Sequence, residues 1–152
     1  MGQGSASVEI NRDPSVVFAA ISDVTRMGEW SPECTGGRWV DGATGPAIGA
    51  KFEGDNRIAI GGITVKKWTT TSEVTAYVPG EVFEFTAEGY TTWRYQLEPR
   101  GSSTKVTESY EYKPMSGPQR FAVETLMRRP AAMVKGMRRT LEQIKQSLES
   151  SS

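Results

Sequence analysis

Residues 13–33, DPSVVFAAISDVTRMGEWSPE, set the architecture of everything around them. Asp13 is placed to cap a helix that Pro14 opens, since proline's fixed φ suits the first helical position and its missing N–H costs nothing there. Val17, Phe18 and Ile21 recur on one helical face, and Asp23 and Gly28 then interrupt the pattern. The stretch therefore predicts a short amphipathic helix, a second half-helix, and a stop at Trp30 beside Ser31-Pro32. Upstream, Val8 and Ile10 alternate with polar neighbours, which predicts a strand over 6–11; the first six residues read as a frayed tail.

Downstream the period changes from helical to two. Over 50–60, Phe52, Gly54, Asn56, Ile58 and Ile60 share one face, and Lys51, Glu53, Asp55 and Arg57 share the other. Gly61-Gly62 predicts a two-residue hairpin that sets Ile60 opposite Ile63 and Asn56 opposite Lys67. The next strand turns Trp68, Thr70, Ser72, Val74 and Ala76 inward, so the two registers agree only if a bulge lies between Val65 and Trp68. Val78-Pro79-Gly80-Glu81 has the residue order of a type II turn. After it, Phe83 and Phe85 share a face, as do Trp93, Tyr95 and Leu97, and then Val106, Glu108, Tyr110 and Tyr112. The Gly-rich run 36–49 holds neither GxGxxG nor GxxxxGK and reads as turns between strands.

The chain becomes helical again from Gly117. A proline inside a helix costs about 3 kcal/mol, so Pro130 divides this region into a lead-in over 118–128 and a main helix. Met133, Val134, Met137, Leu141, Ile144 and Leu148 form that helix's apolar stripe. Arg138, Arg139, Glu142, Lys145 and Gln146 form its outer face, and residues from about 149 onward read as a disordered end.

The segment 13–33, the strand pair WTTTSEVTAYVPGEVFEFTA at 68–87 and TTWRYQLEPRGSSTKVTESYEY at 91–112 resemble the START/Bet v 1-like superfamily, in particular its polyketide cyclase/dehydrase and lipid-transport branch. The resemblance covers nearly the whole chain, and it lies in turns and core positions rather than in a catalytic signature. It implies an α+β helix-grip fold: one domain over 1–152, in which a curved antiparallel sheet wraps a long C-terminal helix, with two short helices after the first strand. It also implies a small hydrophobic molecule, such as a lipid, polyketide or aromatic metabolite, held in an internal cavity.

Composition limits the chemistry. A chain of 152 residues fits one domain and buries about 70% of its unfolded surface, so it needs no staple. Eighteen basic against eighteen acidic residues give no net charge and no field that gathers phosphate, so nucleic acid is not expected as a partner. No apolar run approaches the roughly 20 residues of a bilayer span, and the N-terminus lacks the pattern of a signal peptide, so a cytoplasmic protein is expected. Histidine is absent and Cys34 is alone, which leaves no disulfide, usual zinc set or imidazole-based triad, and no cofactor or metal is implied. Cys34 reads as a structural thiol.

A sheet gripping one helix leaves space at the helix start. The expected lining is Trp30, Trp39, Phe52, Asn56, Trp68, Phe85, Trp93, Tyr95, Glu108, Tyr110, Met133 and Met137, an aromatic and thioether wall with a few polar groups to orient a guest. Each ring taken singly reads first as core, where large side chains belong, and the resemblance raises the cavity reading for the set rather than for each member. Glu108 is the one carboxylate sent inward. Beside Tyr95 it is a candidate general acid or base; its alternative is a structural ion pair with Arg57, Arg94 or Lys67. Asn56 divides the same way between a ligand carbonyl and local backbone. Three functions fit: a carrier or sensor; a cyclase, aromatase or dehydratase using Glu108 and Tyr95; and a protein-interaction or toxin-antitoxin-type module. The tip at Ile58, Ile60, Ile63 and Val65 serves the last as a homodimer contact, or the first as a lid.

Overall fold

The computed structural model describes residues 2–31, 34–60, 62–112 and 129–150, with the side chains of 2, 58–60, 65, 66 and 129–133 left aside. Seven antiparallel strands form one sheet in the order β1-β7-β6-β5-β4-β3-β2. They are β1 (Gly2–Ile10), β2 (Cys34–Val40), β3 (Lys51–Ile60), β4 (Ile63–Val78), β5 (Val82–Ala87), β6 (Thr91–Arg100) and β7 (Ser103–Tyr112). Between β1 and β2 lie α1 (Pro14–Ile21), a 3₁₀ turn (Val24–Arg26) and α2 (Met27–Trp30); α3 (Arg129–Ser150) follows β7 in the described chain. The curved sheet closes on α3 in the helix-grip arrangement.

The local devices act as their chemistry requires. Asp13 caps α1, its Oδ1 accepting from Ser15 N (2.9 Å) and Val16 N (3.3 Å), and Asp23 accepts from Thr25 N (3.1 Å) at the 3₁₀ turn. Glu81 N donates to the Val78 carbonyl at 2.9 Å and Gly80 sits at φ 79°, as a type II turn demands. In the β3–β4 pair, Ile60 faces Ile63 and Asn56 faces Trp68, with a register shift between Ile58 and Ala59. The extra residue on β4 is Val65, so the bulge expected between Val65 and Trp68 lies at the start of that interval.

A second bulge was not foreseen. Val74 faces Phe85 and Ala76 faces Glu84, so Thr75 is the extra residue on β4. The parity of the strand flips after it, and Tyr77, not Ala76, joins the core, its ring 5.7 Å from that of Phe18.

Four further expectations are corrected. Residues 2–6 are not a tail: they belong to β1 and pair with 108–112 of β7, which would otherwise be an open edge. Gly36 and Gly37 are not turn residues but lie within β2, where a Cβ on Gly37 would stand 2.4 Å from the Val24 carbonyl oxygen. Lys145 is not wholly on an outer face, because its Nζ donates to the Glu9 carbonyl (2.8 Å) and to Glu149 Oε2 (2.7 Å). Glu149 and Ser150 are helical rather than disordered; Glu149 accepts from Asn11 N at 2.7 Å, and Arg12 Nη1 donates to the Leu148 carbonyl at 2.6 Å, so the end of α3 is tied to the β1–α1 corner. The lead-in expected at 118–128 lies outside the described residues.

The core runs from α1 and α2 through the concave face to α3. Val17, Phe18 and Ile21 of α1 and Trp30 of α2 meet Phe52, Val74, Phe83, Phe85, Leu97 and Val106 of the sheet. Met137, Leu141, Ile144 and Leu148 of α3 complete it, four-fifths of the stripe that periodicity marked among the residues whose side chains are described.

Candidate functional site

Two cross-strand rows of inward side chains build the candidate site. Strand pairing aligns Gly4, Tyr110, Trp93, Phe85 and Val74 in one row, and Ala6, Glu108, Tyr95 and Phe83 in the next. Gly4 is what lets the first row close: a Cβ there would stand 2.7 Å from Tyr110 Cε1, so the Tyr110 ring lies over bare backbone. Trp93 tilts against Tyr110 at 5.7 Å between centroids, and Tyr112 stacks on both Tyr110 (6.2 Å) and Tyr90 (5.8 Å).

From Phe85 the aromatic wall continues across the sheet. Phe85 meets Phe52 edge-on at 5.0 Å and Phe52 meets Trp39 at 5.6 Å. Edge-to-face contacts of this kind contribute about 0.5–1.5 kcal/mol beyond area burial. Phe52 and Phe85 are buried in the core, as are Trp30 and Met137. Asn56 is occupied locally, its Nδ2 donating to the Gly54 carbonyl (3.1 Å) and to Thr70 Oγ1 (3.3 Å), which is the backbone-satisfying alternative of the two. Trp68 faces Asn56 across the ladder and is half-buried. The side chain of Met133 lies outside the description.

Trp39, half-buried at the end of this wall, also helps to line a groove of about 740 Å³ between Pro14 and Phe18 of α1, the 44–46 loop and the Pro79-Gly80 turn. That groove contains none of the other expected residues, and its wide mouth gives a ligand little to bury against.

Glu108 is the polar centre of the interior. It is buried, and its carboxyl pKa is pushed up from 4.5 to about 8 by loss of water, with a hydrogen bond to Tyr95 pulling partly the other way. None of the three ion-pair candidates reaches it: Arg94 Nε donates to Glu84 Oε2 at 2.7 Å, Arg57 Nη1 donates to Thr64 Oγ1 at 3.2 Å, and Lys67 is exposed. The Tyr95 phenol is held well above its ordinary value by burial first and then by the Glu108 charge, with Cys34 acting in the same direction. Cys34 is buried, its thiol pushed up by desolvation while Sγ donates to the Gly36 carbonyl at 3.2 Å. Sequence reasoning missed this neighbourhood of Cys34 and Tyr95, because β2 and β6 are far apart in the sheet order and only its curvature brings them together.

Glu108 Oε1 and the Tyr110 hydroxyl are buried with no hydrogen-bond partner among the described residues. Such groups are uncommon in folded proteins. Among the described residues no cluster of acidic, cysteine or histidine side chains could hold a metal ion, and no helix is long and apolar enough to cross a membrane.

Comparison with known proteins places this geometry. The sequence profile of the family described as polyketide cyclase / dehydrase and lipid transport matches residues 1–149. The solution structure of a polyketide-cyclase-like protein from Corynebacterium glutamicum is 34% identical, covers 97% of this chain and 91% of its own, and superposes with a TM-score of 0.67. Proteins from Chromobacterium violaceum (15% identity, 97% of both chains, TM-score 0.71) and Mycobacterium smegmatis (16%, 99% of this chain and 92% of that one, 0.70) share the fold. No curated protein matches the chain.

Proposed function

The chain belongs to the polyketide cyclase / dehydrase and lipid transport family, and from that membership we propose that it holds a small hydrophobic molecule, a lipid, polyketide or aromatic metabolite, between sheet and helix, as a carrier or sensor in the cytoplasm. One observation carries this reading. The inward residues on the side where α3 ends are sealed, with Ile10 and Val106 at 0% exposure. On the side where α3 begins, the inward Trp68, Trp93 and Tyr112 and the facing Val134 remain half-buried. Half-covered aromatic rings on a concave face are the composition of a small-molecule site.

The test is to purify the protein natively, denature it and identify any released compound by mass spectrometry, in parallel with Glu108→Gln. An apolar compound recovered intact and in stoichiometric amount from both forms supports the carrier. Recovery of none from the native protein, together with no uptake of added apolar probes, removes it.

A second reading is an enzyme of the cyclase, aromatase or dehydratase type. It is favoured by a buried carboxyl whose pKa is raised to about 8 beside a phenol, because such a group exchanges protons near neutral pH. In it Glu108 moves the proton, Tyr95 orients it, and the wall folds the reactive chain. A compound that wild type alters and Glu108→Gln retains unaltered selects this reading. The exposure of Ile63 at 71% supports a third, a homodimer or regulatory contact through the β3–β4 tip; loss of a dimer in Ile63→Ser by light scattering selects it, and a monomeric wild type removes it.

A further inference from the structure

We propose that the guest is an uncharged molecule whose polar end is a carbonyl or hydroxyl oxygen, bound between Glu108 and Tyr110. This rests on the ligand-binding reading above and narrows it to a chemical class.

Residues i and i+2 of a strand project from one face about 6.6 Å apart. Glu108 and Tyr110 of β7 are such a pair, and both point into the grip. Each presents a buried oxygen with no partner among the described residues. Leaving a buried polar atom unpaired is costly, whereas one ligand oxygen placed between the two satisfies both.

The surroundings decide the charge of that ligand. Beside Glu108 is Tyr95 of β6, which hydrogen-bonds to it, with Cys34 of β2 within electrostatic reach of Tyr95; Tyr110 follows two residues on along the same face of β7. Among the described residues, the inward residues of β1 (Gly4, Ala6, Val8), the phenylalanines of β5, the buried face of α3, α1 and the buried Trp30 of α2 bring no charged group, and Glu29 of α2 is exposed. Arg94 and Arg57 are engaged by Glu84 and Thr64. Among the described residues an anionic head group would therefore find no counter-charge, and burying one unpaired is unfavourable even when it accepts hydrogen bonds. With its pKa raised to about 8, Glu108 carries its proton at neutral pH. It and the Tyr110 phenol are then two unpaired donors on one face of β7, and a ketone, ester or alcohol oxygen is an acceptor they can share.

Three probes of similar size separate the possibilities: 2-isopropenylnaphthalene, 2-acetylnaphthalene and 2-naphthoate, titrated into the full-length protein and followed by heteronuclear NMR. At pH 7 the ketone is expected to bind about tenfold more tightly than the hydrocarbon or the carboxylate, since a site built to hydrogen-bond an oxygen discriminates against analogues that cannot be accommodated. Ketone affinity should fall from pH 7 to pH 9 in wild type and stay level in Glu108→Gln, while Tyr110→Phe brings the ketone down towards the hydrocarbon. Naphthoate binding as tightly as the ketone, or the isosteric hydrocarbon doing so, overturns the polar assignment while leaving the ligand-binding reading intact. A wild-type ketone affinity that does not change with pH also overturns it. Failure of all three probes to bind removes both the assignment and the ligand-binding reading beneath it. The comparison among probes and the pH profile use wild type alone, so poor folding of a variant does not obscure the answer.

Discussion

Glu108 couples proton binding to folding. Its carboxyl is raised from 4.5 to about 8 because burial penalises the ionised form. The folded state thus holds the proton more tightly than the unfolded state, and the contribution to stability is fully present below 4.5 and lost as pH rises through about 8. Each unit in that window removes about 1.4 kcal/mol at most. The chain has no histidine, so no ordinary side chain masks the slope between pH 5 and 8. Urea denaturation across that range should show wild-type stability declining with pH by a few kcal/mol in all. Glu108→Gln should flatten the decline, and an unchanged slope in the variant would sink the assignment. At Gly4 the expected result is steric. Gly4→Ala puts a methyl 2.7 Å from Tyr110 Cε1 and should cost about 1–3 kcal/mol by the same measurement; adding Tyr110→Ala should recover part of that loss, and no recovery would place the strain elsewhere. The inward Glu108 was legible, because alternation along 103–112 leaves only one register with Val106 in the core. Its solitude was not, because no local pattern says which cations reach it.

Among the elements, β2 and the 3₁₀–α2 segment pack backbone to backbone. A Cβ on Gly37 would meet the Val24 oxygen at 2.4 Å, and one on Gly28 would meet the Thr35 oxygen at 2.5 Å. Peptide oxygens cannot swing aside as a long side chain can, so Gly37→Ala should destabilise by about 2–3 kcal/mol. A thermal midpoint within a degree of wild type would count against this close approach. These glycines resemble turn residues in sequence, and only the packing partner reveals their purpose. The terminal strand makes a similar point. Deleting residues 2–6 removes the partner of 108–112 and should yield a protein that self-associates through the exposed edge of β7, checked by light scattering; a monomeric, equally stable product would mean that β1 contributes little. Its polar, glycine-containing sequence hides this pairing because an edge strand needs backbone hydrogen bonds more than apolar side chains. The Val65 bulge was legible, since hairpin geometry and core alternation disagreed by one residue there. The Thr75 bulge was not, since both Ala76 and Tyr77 are acceptable inward residues.

At the scale of the whole molecule, a guest that binds only the folded state adds stability by mass action. The compound released from the native protein, returned at 100 times its dissociation constant, should raise unfolding free energy by about 2.7 kcal/mol, read as a shift of the thermal midpoint. No shift at saturating ligand would mean that it does not depend on the folded cavity. The order of elements, the capped α1, the alternating strands and the apolar stripe of α3 were determined by the sequence alone, because each depends on neighbours a few residues away whose spacing matches a helical or strand period. Tertiary structure alone decided that Trp39 also lines a groove beside α1, that Cys34 comes within electrostatic reach of Tyr95, that Lys145 and Glu149 tie α3 to the β1–α1 corner, and that Glu108 Oε1 and the Tyr110 hydroxyl are left without hydrogen-bond partners among the described residues. These are meetings between strands and helices remote in the chain, set by sheet curvature and accumulated bulges, and no single segment carries that information.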